Sequence, residues 1–200
     1  MRTAGATNLY GSGNITVTNA SVLEATESFT LSRRLIMGSA SDGTNSVGVV
    51  NVAADKELTL DAGSGGVGGV GQMVKTGNGT LILASSNNVN NGTDAAMFLQ
   101  AGTLVVTNTG TLGNPTAGVF FAMNGGALDL GTTTQAVGGF TVNDGTVSNG
   151  AISNSGTYNV AGGTIAAALN GASANLTKTG SGTMTLSGAN SYAGGTLVSV

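Results

Sequence analysis

"LTKTGSGTMTLSGANSYAGGT" (residues 176–196) and "MVKTGNGTLILASSNNVNNGT" (residues 73–93) are one phrase written twice. At an offset of 103 residues, nine of the 21 aligned positions are identical. They are Lys75/Lys178, Thr76/Thr179, Gly77/Gly180, Gly79/Gly182, Thr80/Thr183, Leu83/Leu186, Asn87/Asn190, Gly92/Gly195 and Thr93/Thr196. A phrase of glycine, threonine and asparagine with nothing reactive in it points first to architecture.

Working outward, a Gly-small-apolar triplet recurs at Gly79, Gly102, Gly126, Gly145, Gly163 and Gly182. The spacings are 23, 24, 19, 18 and 19 residues, so one long repeat contains five shorter ones. Two residues after each glycine stand Leu81, Leu104, Leu128, Val147, Ile165 and Met184, all apolar. Four after it come Leu83, Val106, Leu130, Asn149, Ala167 and Leu186, apolar in five cases of six. The position between is mixed. Period-two alternation of this kind describes a half-buried strand. No stretch shows comparable 3.6-residue periodicity, although residues 95–102, "AAMFLQAG", read as a short helical turn.

Strands recurring about every 20 residues with apolar columns in register predict an all-β parallel β-helix. No coil buries its inner column alone, and its neighbours complete the core. The expected rod has roughly ten coils and is on the order of 45–50 Å long. An antiparallel sandwich is the competing all-β reading; it would need turn signals every 8–12 residues, of which Gly110 and Gly195 offer a few. Asn87, Asn88, Asn90, Asn91 and Asn190 suit left-handed corners and amide ladders along the stack. Residues 1–62 read as less regular coils, 63–72 as a Gly-rich loop or insertion, and 73–200 as the repeat-containing coils.

Composition fits this picture. Glycine occurs 35 times, charged residues make up 8% and aromatics 4%. Like charges one coil apart would lie about 4.8 Å from each other, so a stacked solenoid selects against them. Hydrophobic residues at 40% and a net charge of −3 argue against disorder. With six basic residues in all, a phosphate-binding surface is not expected, and nucleic acid is not an expected partner. No apolar run reaches the ~20 residues that span a bilayer. The first residues lack the apolar segment of a secretory signal, and the last stop within a strand-like pattern. The chain therefore reads as an internal piece of something longer.

The second phrase resembles the autotransporter-associated β-strand repeat, also called the passenger-associated transport repeat. Its pattern runs roughly Leu-x-Lys-x-Gly-x-Gly-Thr-Leu-x-Leu-Ser-Gly-x-Asn-x-Tyr-x-Gly-Gly-Thr. The chain matches at Leu176, Lys178, Gly180, Gly182, Thr183, Leu186, Ser187, Gly188, Asn190, Tyr192, Gly194, Gly195 and Thr196, with Met184 for the usual leucine. The earlier copy keeps Lys75, Gly77, Gly79, Thr80 and Leu83, but has Ser85 for a glycine and Val89 for the tyrosine. The resemblance implies a right-handed β-helix, part of a bacterial passenger exported across the outer membrane through a C-terminal barrel. The motif carries no catalytic residue, so none is expected here, and no cofactor.

Without histidine or cysteine, the usual triads and zinc sites are excluded. A carboxylate site needs two or three acids converging, yet Asp129 and Asp144 fall in different columns. Glu24 and Glu27 beside Arg33 and Arg34 read as a solvated edge. Residues 63–68, "GSGGVG", fit a dinucleotide fingerprint by letter but lack the helix that would follow. Tyr158 and Tyr192 read as core or corner packing rather than sugar platforms. No metal site is visible. The functional expectation is a non-catalytic structural and adhesive passenger segment at the bacterial surface, which presents or spaces binding surfaces and aids export and folding. Its expected partners are host-surface or glycan ligands, the parent's translocator barrel, and a second copy end to end. The alternative is a carbohydrate-active β-helix of the lyase, hydrolase or tailspike kind.

Overall fold

The structure is a computed structural model that describes residues 2–3, 13–38, 46–61, 66–86, 88–89, 95–107, 109–113 and 119–199. Among these residues every helix or strand element is a strand, and every pairing is parallel to a strand of a neighbouring coil. No helix is long and apolar enough to cross a membrane.

Three sides alternate along the chain. Side one stacks ten strands: β1 (Arg2–Thr3), β3 (Val22–Ala25), β6 (Val47–Val52), β9 (Gln72–Thr76) and β12 (Ala95–Leu99), then β14 (Phe120–Met123), β17 (Gly139–Val142), β20 (Thr157–Val160), β23 (Asn175–Lys178) and β26 (Thr196–Val198). Side two stacks eight: β4 (Phe29–Leu31), β7 (Glu57–Leu60), β10 (Thr80–Leu83) and β13 (Thr103–Val106), then β15 (Ala127–Asp129), β18 (Thr146–Ser148), β21 (Gly163–Ile165) and β24 (Met184–Leu186). Side three is split. Its first sheet holds β2 (Ile15–Val17), β5 (Leu35–Met37), β8 (Val67–Gly69) and β11 (Asn88–Val89). Its second holds β16 (Thr134–Val137), β19 (Ala151–Asn154), β22 (Ala168–Gly171) and β25 (Ser191–Tyr192). This is a right-handed parallel β-solenoid.

The apolar columns of the sequence are its core. On side two Leu58, Leu81, Leu104, Leu128, Val147 and Ile165 are paired rung upon rung and buried. Each such side chain contributes about 1.5–3 kcal/mol when fully removed from water. On side one the core turns aromatic toward the C-terminus. Phe121 stacks on Phe140 at 5.6 Å, Phe140 meets Tyr158 edge-on at 6.1 Å, and Tyr158 meets Tyr192 at 6.0 Å.

Four sequence expectations change. Side one has ten rungs, but seven turns carry strands on all three sides, fewer than the roughly ten coils expected. Residues 95–99 form β12 and not a helical turn, because Met97 and Leu99 alternate inward and are fully buried. Within the stretch 63–72, residues 63–65 lie outside the described residues, while Val67–Gly69 is a rung rather than a loop. Gly68 leaves room for the Arg34 guanidinium, and Gly69 for the Met37 carbonyl. Finally, Met184 pairs with Gly163, and Leu186 takes the place opposite Ile165 that the triplet register assigned to Met184. The corner before β24 spans 179–183, whereas the one beneath it spans only 161–162. A slip of two residues leaves every side chain on its own face.

The turn made by β12 and β13 has no third-side strand among the described residues. Gln135, inward on β16 and nearly fully buried, stands in for it. Its Oε1 accepts from Leu112 N at 2.9 Å, and its Nε2 donates to Gly110 O at 3.2 Å and Thr133 Oγ1 at 2.9 Å. A side-chain amide offers the same donor and acceptor as a peptide group, so it satisfies main chain that would otherwise be buried unpaired.

Candidate functional site

The twice-written phrase is the candidate site, and each copy wraps one turn. The first runs along β9, a glycine corner, β10 and β11; the second along β23, β24 and β25 into β26. Both put a lysine where the fold otherwise puts an apolar residue. The inward column of side one reads Val50, Lys75, Leu99, Met123, Val142, Val160, Lys178 and Val198.

Lys75 is fully buried, and among the described residues it has no carboxylate partner. Its Nζ donates to Thr76 O and Gly77 O at 2.8 Å and to Ala101 O at 3.1 Å. Two acceptors belong to its own corner and the third to the next turn. The ammonium thus ties consecutive turns together through main chain alone. Burial lowers its pKa from 10.5 to about 8. The three carbonyl dipoles oppose that shift, since they favour the charged form. Three acceptors suit an ammonium with its three donors. Gly102, at φ +71°, is the neighbour that permits the contact, because a Cβ there would sit 2.8 Å from the Lys75 Nζ.

Lys178 repeats the grip, donating to Thr179 O and Gly180 O at 2.7 Å. It is half-buried. The place of Ala101 falls at residue 200 here, because Val198 pairs with Lys178 as Leu99 pairs with Lys75. Residue 200 lies outside the described residues.

The remaining phrase residues serve the stack. Leu83 is fully buried and Leu186 half-buried. Gly79, Gly182, Gly188 and Gly194 each lie against a carbonyl of the turn below, where a Cβ would overlap it. Thr80 N donates to Lys56 O, and Thr183 O accepts from Gly163 N. Asn190 Oδ1 accepts from Leu169 N at 3.0 Å, so it bonds main chain and not another amide. An amide ladder does occur, one the motif did not flag: Asn143 Nδ2 donates to Asn124 Oδ1 at 2.7 Å. Asn87, Asn90 and Asn91 lie outside the described residues, as do Gly92 and Thr93. Gly195 N donates to Asn175 Oδ1, and Tyr192 Oη lies 2.9 Å from Thr196 Oγ1.

Tyr158 is a core residue. Its hydroxyl lies 2.9 Å from Ile152 O and 2.6 Å from Asn170 O, and burial pushes its pKa up to about 12, only partly offset by main-chain hydrogen bonding at Asn170 and Asn154.

The acidic residues stay apart in role. Asp129 Oδ1 accepts from Gly131 N and from Asn149 Nδ2, and Asp144 Oδ1 accepts from Gly145 N. Each carboxylate braces its own corner, and Asp129 also holds Asn149 of the next turn. Glu27 pairs with Lys56 at 3.0 Å on the surface. Among the described residues no group of three His, Cys, Asp or Glu is placed to hold a metal ion.

The inward lysine is what sequence reasoning missed. The identities at 75 and 178 flagged the position, but lysine at a strand end reads as surface until the pairing register places it in the apolar column.

No curated protein and no solved structure matches the chain. The family model described as Passenger-associated-transport-repeat matches residues 73–112 and 176–199. Those are the two turns gripped by Lys75 and Lys178, and over these residues the β-solenoid is similar to the passenger-associated transport repeat.

Proposed function

We propose that this chain is a structural and adhesive segment of a secreted bacterial autotransporter passenger, a rod that presents and spaces binding surfaces at the cell surface. The observation that carries this reading is the Lys75 ammonium, spent entirely on main-chain carbonyls of two consecutive turns. In the repeats the conspicuous polar groups hold coil to coil, which suits a scaffold. On this reading the repeats aid export and folding by locking each new turn onto the last, and the parent's translocator barrel is the partner in that step. Host-surface or glycan ligands would meet the outward threonine, serine and asparagine columns. The segment works without a cofactor and without catalysis.

The test is binding of the purified chain to a glycan and host-matrix array. Saturable binding to one class, weakened by substitution in an outward column such as Asn124 and Asn143, supports the adhesive reading. Silence across the array leaves a scaffold and sinks adhesion by this segment.

A further inference from the structure

Alternate residues of each side-one strand face outward, and the pairing register stacks them into columns. One outer column reads Val22, Val49, Val74, Phe98 and Ala122 before it becomes polar at Thr141, Asn159 and Thr177. Val47 and Phe120 flank it on β6 and β14. Five consecutive rungs thus carry apolar side chains on a face that the core does not use. Each of those five strands is paired on both edges, so this face is lateral and no rung above or below covers it. Val22 is 43% exposed, Val49 and Phe98 are half-buried, and Val74 and Ala122 keep 9% each between their neighbours.

Side two offers nothing comparable. Its outer column reads Thr59, Ile82, Val105, Asp129 and Ser148, so two apolar rungs end at a carboxylate. The charged residues of the side-one strands are Arg2, Glu24, Lys75 and Lys178, and both lysines stand in the inward column. From β6 onward the outer face of side one therefore carries no charge that would repel an identical face. Contiguous apolar surface of this kind marks an interaction site.

We propose that the outer face of side one packs on the same face of a second copy, the two rods parallel and side by side about a twofold axis along their length. Sheets that meet face to face pack about 10 Å apart. Area decides how much of the face takes part. The five apolar rungs span about 24 Å, and with a width of about 15 Å they offer roughly 360 Å² per copy, too little for a stable dimer. All ten strands of side one span about 48 Å and offer roughly 700 Å² per copy, which is in the range of specific interfaces. Polarity then decides direction. Antiparallel rods in full overlap would lay Val49 on Asn159 of the second copy and Val74 on its Thr141. Parallel rods set Val49 on Val49, Phe98 on Phe98 and Asn159 on Asn159. An isologous contact of this kind closes at two copies. The inference rests on the outer column and is independent of the adhesive reading.

The test combines analytical ultracentrifugation of the chain over a wide concentration range with cross-linking. The chain has no cysteine, so Asn159→Cys places a single thiol on the outer face. Two such thiols lie about 10 Å apart in the parallel dimer and more than about 20 Å apart in the antiparallel one. The expected result is a reversible monomer–dimer equilibrium, weakened at least tenfold by Val49→Lys and by Phe98→Lys and unchanged by Val105→Lys on side two. Asn159→Cys should be captured as a dimer by a bifunctional thiol reagent about 10 Å long, and Val105→Cys should not. Far-UV circular dichroism checks that the lysine variants stay folded, and the cross-link is read in a chain with its apolar column intact. A strict monomer, a dimer that survives both substitutions in folded chains, or a dimer that Asn159→Cys does not capture would overturn the proposal.

Discussion

One phrase, placed twice, is held in two different ways. In the first copy Lys75 is fully buried under the turn that follows, and Leu81 and Leu83 beside it are fully covered. In the second Lys178 is half-buried, and Met184 and Leu186 are no better covered. Nine of the 21 letters are the same, the lysine and the corner glycines among them. The difference lies in the neighbours, since β10 is paired on both edges by β7 and β13 while, among the described residues, β24 is paired by β21 alone. In a solenoid a residue's energy belongs largely to the interface between turns.

The largest expected effect is at the inner leucines. Leu83→Ala leaves a cavity between Leu60 and Val106 and should cost about 2–5 kcal/mol in chemical denaturation. Leu186→Ala should cost about 1 kcal/mol, because much of that side chain already meets water. Equal losses would mean that the phrase and not its neighbours sets the energy.

The corner glycines come next. Gly77 and Gly180 share a left-handed backbone, φ +73° and +66°. A Cβ on Gly77 would overlap the Val52 carbonyl, while around Gly180 there is open space. Gly180→Ala should cost about 1–2 kcal/mol for the left-handed backbone alone, and Gly77→Ala clearly more.

Lysine replacement is smaller. Lys75→Met keeps the volume but leaves Thr76 O, Gly77 O and Ala101 O without their donor, at about 1–3 kcal/mol. Lys178→Met should fall below about 1 kcal/mol, because water reaches its acceptors.

The last effect is a slope with pH. With a folded pKa of about 8 against 10.5 unfolded, Lys75 loses its proton first in the folded chain. Between those values the unfolded state binds more protons, so stability rises with pH. Above pH 10 Tyr158, raised from 10.0 to about 12, acts in the opposite sense. Stability measured from pH 7.5 to 10 should therefore climb, and Lys75→Met should flatten the climb. A climb that persists in Lys75→Met would remove Lys75 as its source.

Much of the fold was legible because period-two alternation and the triplet spacing report burial directly. The columns through Leu81, Leu104, Leu128, Val147 and Ile165 are real rungs. The register failed at Met184, where a longer corner shifts the strand by two and leaves the alternation intact, so the pattern carries no trace of the slip. Asn149, apolar by column, is instead an exposed corner residue at φ +59°. Gln135 and Lys75 were invisible for a different reason. Each bonds main chain about 25 residues away, and composition and spacing do not record which carbonyl a side chain reaches. The tyrosines were readable, since an aromatic beside an apolar column has nowhere else to go.

A repeat lysine is sealed by the turn that follows it. The chain has three lysines, Lys56, Lys75 and Lys178, and their rates of acylation under native conditions can be followed separately by peptide mass spectrometry. Lys178 and the partly exposed Lys56 should react readily, and Lys75 should lag both by more than an order of magnitude until the chain unfolds. Acylation of Lys75 at the rate of Lys178 in the folded chain would contradict the account.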